Sequence, residues 1–130
     1  SILMVEEYIP GRELTVTVMG KKALAVTDII TQNWYDYDAK YNGKSQEITP
    51  ARISEAQSQE VSSIAKKIYQ VLKLKGFSRS EFIFVNNTPY LLEVNTVPGL
   101  TNESILPQQA QIAGISLKDL FVNAIKEALK

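Results

Sequence analysis

The sequence predicts an α+β fold in which an antiparallel sheet is packed with helices. Two observations predict it: β-branched residues alternate with polar ones in the first third of the chain, and apolar residues recur at helical spacing in the middle and at the end. A chain of 130 residues is long enough for one core, so we treat residues 1–130 as a single domain.

The N-terminal elements form a predicted meander. Residues 2–8 are apolar and then charged, which indicates a short strand, and residues 13–19 alternate as a half-buried strand does. A turn at 20–22 then returns the chain into a third strand over 23–30. Residues 31–52 show neither period, and we interpret them as a long lid-like loop.

The next elements are a helix and a hairpin. Ser54 and Gln57 have the spacing of a capping box, and the apolar residues that follow predict a helix that ends before Gly76. Its expected buried face is Val61, Ile64, Ala65, Ile68, Val71 and Leu72. Strands over 82–85 and 90–94 are expected to form a hairpin, with the helices on one face of the sheet.

Two short helices end the predicted fold. One begins at Ser104 and runs to Gly114, and the other is capped by Ser116 with Asp119. The expected apolar face of the last helix is Leu117, Leu120, Phe121, Ala124, Ile125 and Ala128.

Composition narrows the chemistry. The formal net charge is zero, which argues against a nucleic-acid partner, and the absence of cysteine and histidine excludes disulfides, zinc-thiolate sites and histidine acid–base catalysis. No apolar run is long enough to span a membrane, so a soluble cytoplasmic protein is expected. Because the chain starts at Ser1 in an apolar segment, we interpret it as an engineered polypeptide or a fragment of a longer protein.

The strand over 90–94 carries the most informative residues. Glu93 and Asn95 lie two apart and share one face, and the hairpin brings Glu81 towards them if its loop has an odd number of residues. Two carboxylates and a carboxamide form a hard-oxygen site suited to magnesium. The alternative is an ordinary solvated sheet face.

Three other features are candidates for substrate contacts. Arg79 shares the face of Glu81 and either binds an anion or is a surface arginine. The loop over 96–104 leads to a helix N-terminus with free amides, although Ser104 is equally explained as an N-cap. The aromatic stretch 34–41 is either a lid with Lys40 near a phosphate or a segment docked on the core.

The order of these pieces resembles the D-alanine–D-alanine ligases of the ATP-grasp superfamily. Four segments carry the resemblance: VEEYIPGRE at 5–13, YDYDAKY at 35–41, EVNTVPGLT at 93–101 and SILP at 104–107. The resemblance implies the C-terminal part of an ATP-grasp fold. One position departs from it, since Glu81 stands where the family usually has an aspartate.

The resemblance also implies a role for each site residue. Nucleotide contacts are implied for Glu6, Glu7, Tyr8, Ile9, Glu13, Trp34 and Lys40. Tyr41 would close the lid with Lys40, and two Mg2+ (or Mn2+) ions would be held by Glu81, Glu93 and Asn95. Arg79 and the Gly99 amide would stabilise the tetrahedral intermediate, whereas Ser104 and Ile105 would receive the second D-alanine.

The implied reaction is ATP-dependent ligation of two D-alanines through an acyl phosphate, for peptidoglycan precursor synthesis. The partners it implies are ATP, D-alanine and the missing N-terminal and central segments of the same enzyme, without which the chain is expected to be inactive; a homodimer is compatible with it. Three alternatives remain: a D-alanine–D-lactate ligase, another ATP-grasp carboxylate–amine ligase, or a noncatalytic nucleotide-binding module. We also expect residues 33–46 to be mobile without nucleotide.

Overall fold

The computed structural model describes residues 1–31 and 45–130, and there it contains a five-stranded antiparallel sheet with three helices. The strands are β1 Arg12–Met19, β2 Lys22–Thr31, β3 Ser45–Ile48, β4 Phe77–Val85 and β5 Thr88–Asn95, in the spatial order β3-β2-β1-β4-β5. The helices are α1 Glu55–Val71, α2 Ile105–Ile112 and α3 Leu117–Ala128. In this part of the chain no helix is both long enough and apolar enough to cross a membrane.

The strand predicted for residues 2–8 is wrong. Residues 1–10 have no regular secondary structure, and Ile2 and Val5 are 100% and 92% exposed. The sheet order places no described strand alongside this segment. An apolar sequence forms a strand only where a neighbouring strand can hydrogen-bond with its amides and carbonyls.

The loop predicted for residues 31–52 needs a correction at its C-terminal end. Ser45–Ile48 forms β3, which pairs with the end of β2 through Asp28–Ile48 and Ile29–Glu47. Residues 32–44 lie outside the described residues, and with them nearly all of the segment for which mobility is expected.

One face of the sheet, here called the core face, packs against α1. It carries Leu14, Val16 and Val18 of β1, which are 0% exposed, together with the aromatic rings of Phe82 and Phe84 from β4. The helix contributes Val61, Ala65 and Tyr69 to the same cluster. The alternation predicted for β1 is thereby confirmed, because Leu14, Val16 and Val18 all lie in this core.

Helix α1 begins as predicted but ends earlier. Both capping-box bonds are present: the Gln57 amide donates to Ser54 Oγ at 3.2 Å and the Ser54 amide to Gln57 Oε1 at 2.9 Å. Lys73 has a φ of 53°, so the chain leaves the helix there rather than at Gly76. Val71 and Leu72 are consequently exposed, contrary to prediction, and Tyr69 completes the buried face.

The opposite face, here called the polar face, carries the odd-numbered positions of β1 and their neighbours on the other strands. It is not free of helices, which corrects the expectation of helices on one face only, since α2 packs on one end of it through Leu106 and Ala110. A register shift between β1 and β2 makes this possible. It turns Leu24 onto the polar face, where it joins the same cluster with Leu120 of α3.

The last helix is capped as predicted but is less buried than predicted. Ser116 Oγ accepts from the Asp119 amide at 3.1 Å. Only Leu120 of the expected apolar face is buried, whereas Phe121 and Ile125 are 43% and 59% exposed.

Candidate functional site

Register places four polar residues next to one another on the polar face, on β4 and the edge strand β5. Register pairs Glu81 of β4 with Glu93 of β5, and Arg79 with Asn95. Directly opposed residues project to the same side of a sheet with their Cβ atoms about 5 Å apart. The sequence-based prediction that Glu81, Glu93 and Asn95 share one face is therefore confirmed.

The hairpin that creates this pairing does so differently from the prediction. Its turn is Asn86–Asn87, with φ values of 48° and 63°, and it closes on the pair Val85–Thr88. A two-residue turn alone would place Glu93 on the core face. A β-bulge between the pairs Glu81–Glu93 and Phe82–Leu91 restores the parity, so the expected odd-numbered loop was wrong.

The bulge also changes which of the preceding residues of β5 shares the polar face with Glu93. Strict alternation along β5 would place Leu91 on the face of Glu93, but Leu91 pairs with Phe82, a core-face residue. Tyr90, paired with Ile83, occupies the polar-face register position instead. Only the part of β5 beyond the bulge follows the predicted alternation.

Arg79 and Glu81 form an ion pair within β4. Arg79 Nη2 and Nε donate to Glu81 Oε1 at 2.6 and 3.2 Å. Both side chains are largely buried, with exposed fractions of 16% and 14%. The guanidinium thus offsets one of the two carboxylates that register places opposite each other, which would otherwise repel.

Asn95 begins the loop that leads away from the sheet. Its Oδ1 accepts from the Val97 amide at 2.9 Å, which folds the chain into a side-chain-mediated turn. The loop continues through Gly99, where an added Cβ would lie 2.8 Å from Ser104 Oγ. Any larger residue at this position would require the Ser104 side chain to move.

Ser104 has the backbone position of an N-cap but its side chain does not cap. The Oγ atom lies 2.7 Å from Thr101 Oγ1 and makes no bond to a helix amide. Pro107 occupies the third helical position, where the amide that a serine cap usually bonds is missing. The interpretation of Ser104 as an ordinary cap is therefore incomplete, since its hydroxyl faces the loop.

The remaining predicted residues are placed as follows. Ile105 is the first residue of α2 and is buried, with 6% of its surface exposed. Glu13 lies on β1, paired with Ile29 and Ile83, and thus on the polar face. Three residues, Trp34, Lys40 and Tyr41, lie outside the described residues.

The four predicted nucleotide contacts at the start of the chain lie outside the sheet. Glu6, Glu7, Tyr8 and Ile9 precede β1, and the first three of them are exposed. They lie in the same irregular segment as the apolar residues 2–5.

Sequence reasoning missed one acidic residue of the polar face, Glu47 of β3. Its partner Ile29 also pairs with Glu13, so the three occupy one row of the sheet. Burial raises the pKa of Glu47, and the charge of Arg79 partly lowers it. The alternation in Ser45-Gln46-Glu47-Ile48 was the available sign of a strand, but four residues are too few to stand out in a long loop.

The donor set suits a hard cation. Among the described residues no three Asp, Glu, His or Cys side chains cluster as a metal site. The opposed pair Glu81–Glu93 adds the carboxamide of Asn95 rather than a third carboxylate. Oxygen donors of this kind, with two negative charges held side by side, fit magnesium or manganese and do not fit zinc.

Comparison with known proteins decides the family. The family model for the D-ala D-ala ligase C-terminus matches residues 1–126. This chain belongs to that family. Its expected fold, the C-terminal part of the ATP-grasp fold of these ligases, is confirmed by solved structures with TM-scores of 0.79 to 0.81.

Curated relatives named D-alanine–D-alanine ligase agree with the assignment. The protein from Flavobacterium johnsoniae is 56% identical over 98% of this chain, and the one from Rhodospirillum rubrum is 50% identical over 97%. This member of the family spans about two fifths of their length, 41% and 42%.

Solved structures show the same relation. The D-alanine–D-alanine ligase from Bacillus anthracis, complexed with ATP, matches 95% of this chain and 40% of its own, with a TM-score of 0.79 and 27% identity. The VanG D-Ala:D-Ser ligase from Enterococcus faecalis matches 92% of this family member and 37% of its own chain, with a TM-score of 0.80 and 29% identity.

Proposed function

We propose that this chain supplies the catalytic C-terminal part of an enzyme that joins two D-alanines with ATP, through an acyl phosphate, in peptidoglycan precursor synthesis. The observation that carries the proposal is the convergence of Arg79, Glu81, Glu93 and Asn95 on the polar face, next to the loop that leads to α2. Family membership supplies the reaction, and the site supplies groups that suit it.

Glu81, Glu93 and Asn95 are the proposed ligands of two Mg2+ or Mn2+ ions. Bound there, the ions would neutralise the charge of the phosphates of ATP. The three residues are proposed to form a rigid oxygen surface, because β4 and β5 pair from Arg79–Asn95 to Val85–Thr88 with one bulge between Glu81 and Phe82. Glu81 reaches this surface on a side chain one methylene longer than the aspartate of the family pattern, and Arg79 steadies it.

Arg79, the Gly99 amide and the start of α2 are proposed to hold the reacting carboxylates. A guanidinium and backbone amides stabilise an oxyanion that forms when an amine attacks an acyl phosphate. The close approach of Gly99 to Ser104 puts a loop amide beside the N-terminus of a helix, where negative charge is favoured. Ser104 and the Ile105 amide are the proposed contacts for the second D-alanine.

The nucleotide is proposed to lie against the polar face between β1 and the N-terminal segment. Glu6, Glu7, Tyr8 and Ile9 would hold the adenine as an extended segment. Glu13 faces the same side of the sheet as Glu81, which suits a contact with the ribose or with the lid. Trp34, Lys40 and Tyr41 are proposed as the adenine neighbour, the γ-phosphate contact and the closing residue.

This chain is proposed to need the remainder of the enzyme. The relatives it matches are more than twice as long, so the N-terminal and central segments would complete the nucleotide and first D-alanine sites. A cytoplasmic location follows from the substrates that the proposal names, since ATP is a cytoplasmic cofactor. A homodimer is compatible with the proposal.

The test is phosphate release from ATP by a full-length protein that carries this chain. Release should depend on D-alanine and on Mg2+, and D-alanyl-D-alanine should accumulate in equal amount. D-Lactate and D-serine, offered together with limiting D-alanine, test the other second substrates; preferential use of either would replace D-alanine as the proposed second substrate. The 130-residue chain alone should release no phosphate in response to D-alanine.

A further inference from the structure

We propose that Gln109 is a positioning residue, which fixes the start of α2 against the strand next to Arg79 and Glu81. The inference rests on the proposed function, because it assigns a role within that site. Gln109 lies in α2, is 0% exposed, and is surrounded along its helix by the buried residues Leu106 and Ala110. An apolar side chain would fill such a position at lower desolvation cost, so an amide there needs its own explanation.

The carboxamide of Gln109 makes three hydrogen bonds to the sheet. Oε1 accepts from the Thr17 amide at 2.8 Å, while Nε2 donates to the Thr15 carbonyl at 3.0 Å and to Thr27 Oγ1 at 2.8 Å. Both amide hydrogens are therefore used, and one side chain is bonded to three residues on two strands. Such complete pairing fixes a geometry that apolar contacts alone leave adjustable.

The bulge explains why these partners are available. Between the pairs Val16–Val26 and Val18–Ala23, Thr17 has no directly opposed residue on β2. Its amide is buried, and a buried amide without a partner is costly. The helix supplies the acceptor that β2 does not, so α2 is locked to the sheet at this irregular point.

This lock lies one strand away from the predicted metal ligands. Thr15 pairs with Glu81 and Thr17 with Arg79 across β1 and β4. Gln109 follows Ser104 by five residues in the same helix, which is about 7.5 Å along its axis. The loop after Asn95 connects β5 covalently to Ser104, and Gln109 adds a noncovalent connection between α2 and β1, the strand beside Arg79 and Glu81.

The test compares Gln109→Met with Val61→Ala in the full-length enzyme. Methionine has nearly the shape of glutamine but makes none of the three hydrogen bonds. Val61 lies in α1 and packs against the core face, in a cluster that includes no residue of α2. We expect Gln109→Met to raise the KM for D-alanine about tenfold at saturating ATP, since small displacements of a positioning group are costly. The KM for ATP should stay within about twofold, because binding that does not involve the displaced loop is unaffected.

Val61→Ala should lower the melting temperature, and it should not raise the KM for D-alanine more than the KM for ATP. Thr27→Val, which removes only one of the three partners, should shift the KM for D-alanine in the same direction by a smaller factor and keeps the test open if Gln109→Met does not fold. If Gln109→Met and Thr27→Val change both KM values as Val61→Ala does, Gln109 is only a packing residue and the proposal fails.

Deuterium exchange of the amides over 99–106, without substrates, gives a readout that does not need activity. Exchange there should be faster in Gln109→Met than in the wild type and in Val61→Ala. Equal exchange in both variants would overturn the positioning role even in an active enzyme. A wild-type protein with no D-alanine-dependent phosphate release would instead overturn the proposed function, and exchange would still decide the role of Gln109.

Discussion

The two faces of the sheet are made by the same strands but carry opposite kinds of side chain. On the core face, Leu14, Val16 and Val18 are completely covered by α1. On the polar face, Thr15 and Thr17 are just as buried, yet each bonds through its backbone to Gln109, and the neighbouring strand adds Arg79 and Glu81.

Under the proposed function, one face of the sheet provides stability and the other provides the groups that contact substrates. Apolar burial is non-directional and gives the core face its free energy, so its residues are interchangeable if volume is kept. The polar face depends on directional bonds and on charges at fixed register positions, which tolerate no shift of one residue. We therefore expect core-face substitutions to change unfolding and polar-face substitutions to change turnover.

The largest expected effect is on the core face. Leu14→Ala removes a fully buried side chain and should lower the free energy of unfolding by about 2–5 kcal/mol, because a cavity remains. Denaturant unfolding of the chain measures it. Val71→Ala is the control: although the helical pattern suggested burial, Val71 is 69% exposed, and the change should stay within about 0.5 kcal/mol. A large loss at Val71 would contradict the assignment of the core face.

The next effect belongs to the polar face. Glu93→Gln keeps the size of the side chain but removes its negative charge, which lies opposite that of Glu81 in the β4–β5 register. Turnover of the full-length enzyme at limiting Mg2+ should fall about a hundredfold, which corresponds to about 3 kcal/mol of transition-state stabilisation. The melting temperature should change little, because Glu93 is exposed.

The control for Glu93→Gln is Glu60→Gln, which removes an exposed carboxylate from α1. It should leave both turnover and its Mg2+ dependence unchanged. Unchanged turnover in Glu93→Gln at limiting Mg2+ would remove the metal site from the proposal and leave an ordinary exposed sheet residue in its place.

A third prediction tests the ion pair of Arg12 with Asp28 on the core face. Arg12 donates through Nε and Nη2 to Asp28, whose side chain is 1% exposed. Arg12→Met should cost about 1–3 kcal/mol of unfolding free energy, because it leaves a buried carboxylate without its cation; the partial exposure of Arg12 keeps the figure below that of fully buried pairs.

Adding Asp28→Asn to Arg12→Met should recover part of that loss, as the carboxylate is then no longer charged. Equal stability of the single and double variants would show that the pair is solvated and contributes nothing to the core face.

Local patterns in the sequence were enough to predict most of the fold. The alternation of β1, the capping box at Ser54 and the cap at Ser116 depend on residues within four positions of one another, and all three are confirmed. The hairpin was expected to bring Glu81 beside Glu93 or Asn95, and Glu81 pairs with Glu93, although the expected odd-numbered loop is wrong. A bulge is set by tertiary packing of both strands, so the turn sequence alone did not reveal it.

The failures share a cause, which is dependence on distant partners. Residues 2–5 have the composition of a strand but no described strand beside them. Glu47 joins the polar face only because β3 pairs with the end of β2, across residues that show no period. The role of Gln109 could not be predicted, because its hydrogen-bond partners are more than 80 residues away along the chain.

The smallest expected effect is a pH dependence at Glu47, on the rim of the polar face. Burial raises its pKa above the ordinary value of 4.5, and Arg79 opposes the shift. A raised pKa means that the folded chain holds this proton more tightly than the unfolded chain. The contribution to stability is therefore fully present below the unfolded pKa and is lost as the pH rises through the folded pKa.

Glu47→Gln cannot lose that proton, so it should match the wild type near pH 4 and be slightly more stable at pH 7. Melting temperatures of the two proteins across that interval measure the difference, with Glu60→Gln as the exposed control. In an Arg79→Met background the difference should grow, because the charge that lowers the pKa of Glu47 is gone. If the difference in melting temperature is the same at both pH values, or shrinks without Arg79, neither burial nor Arg79 controls the ionisation of Glu47 in this way.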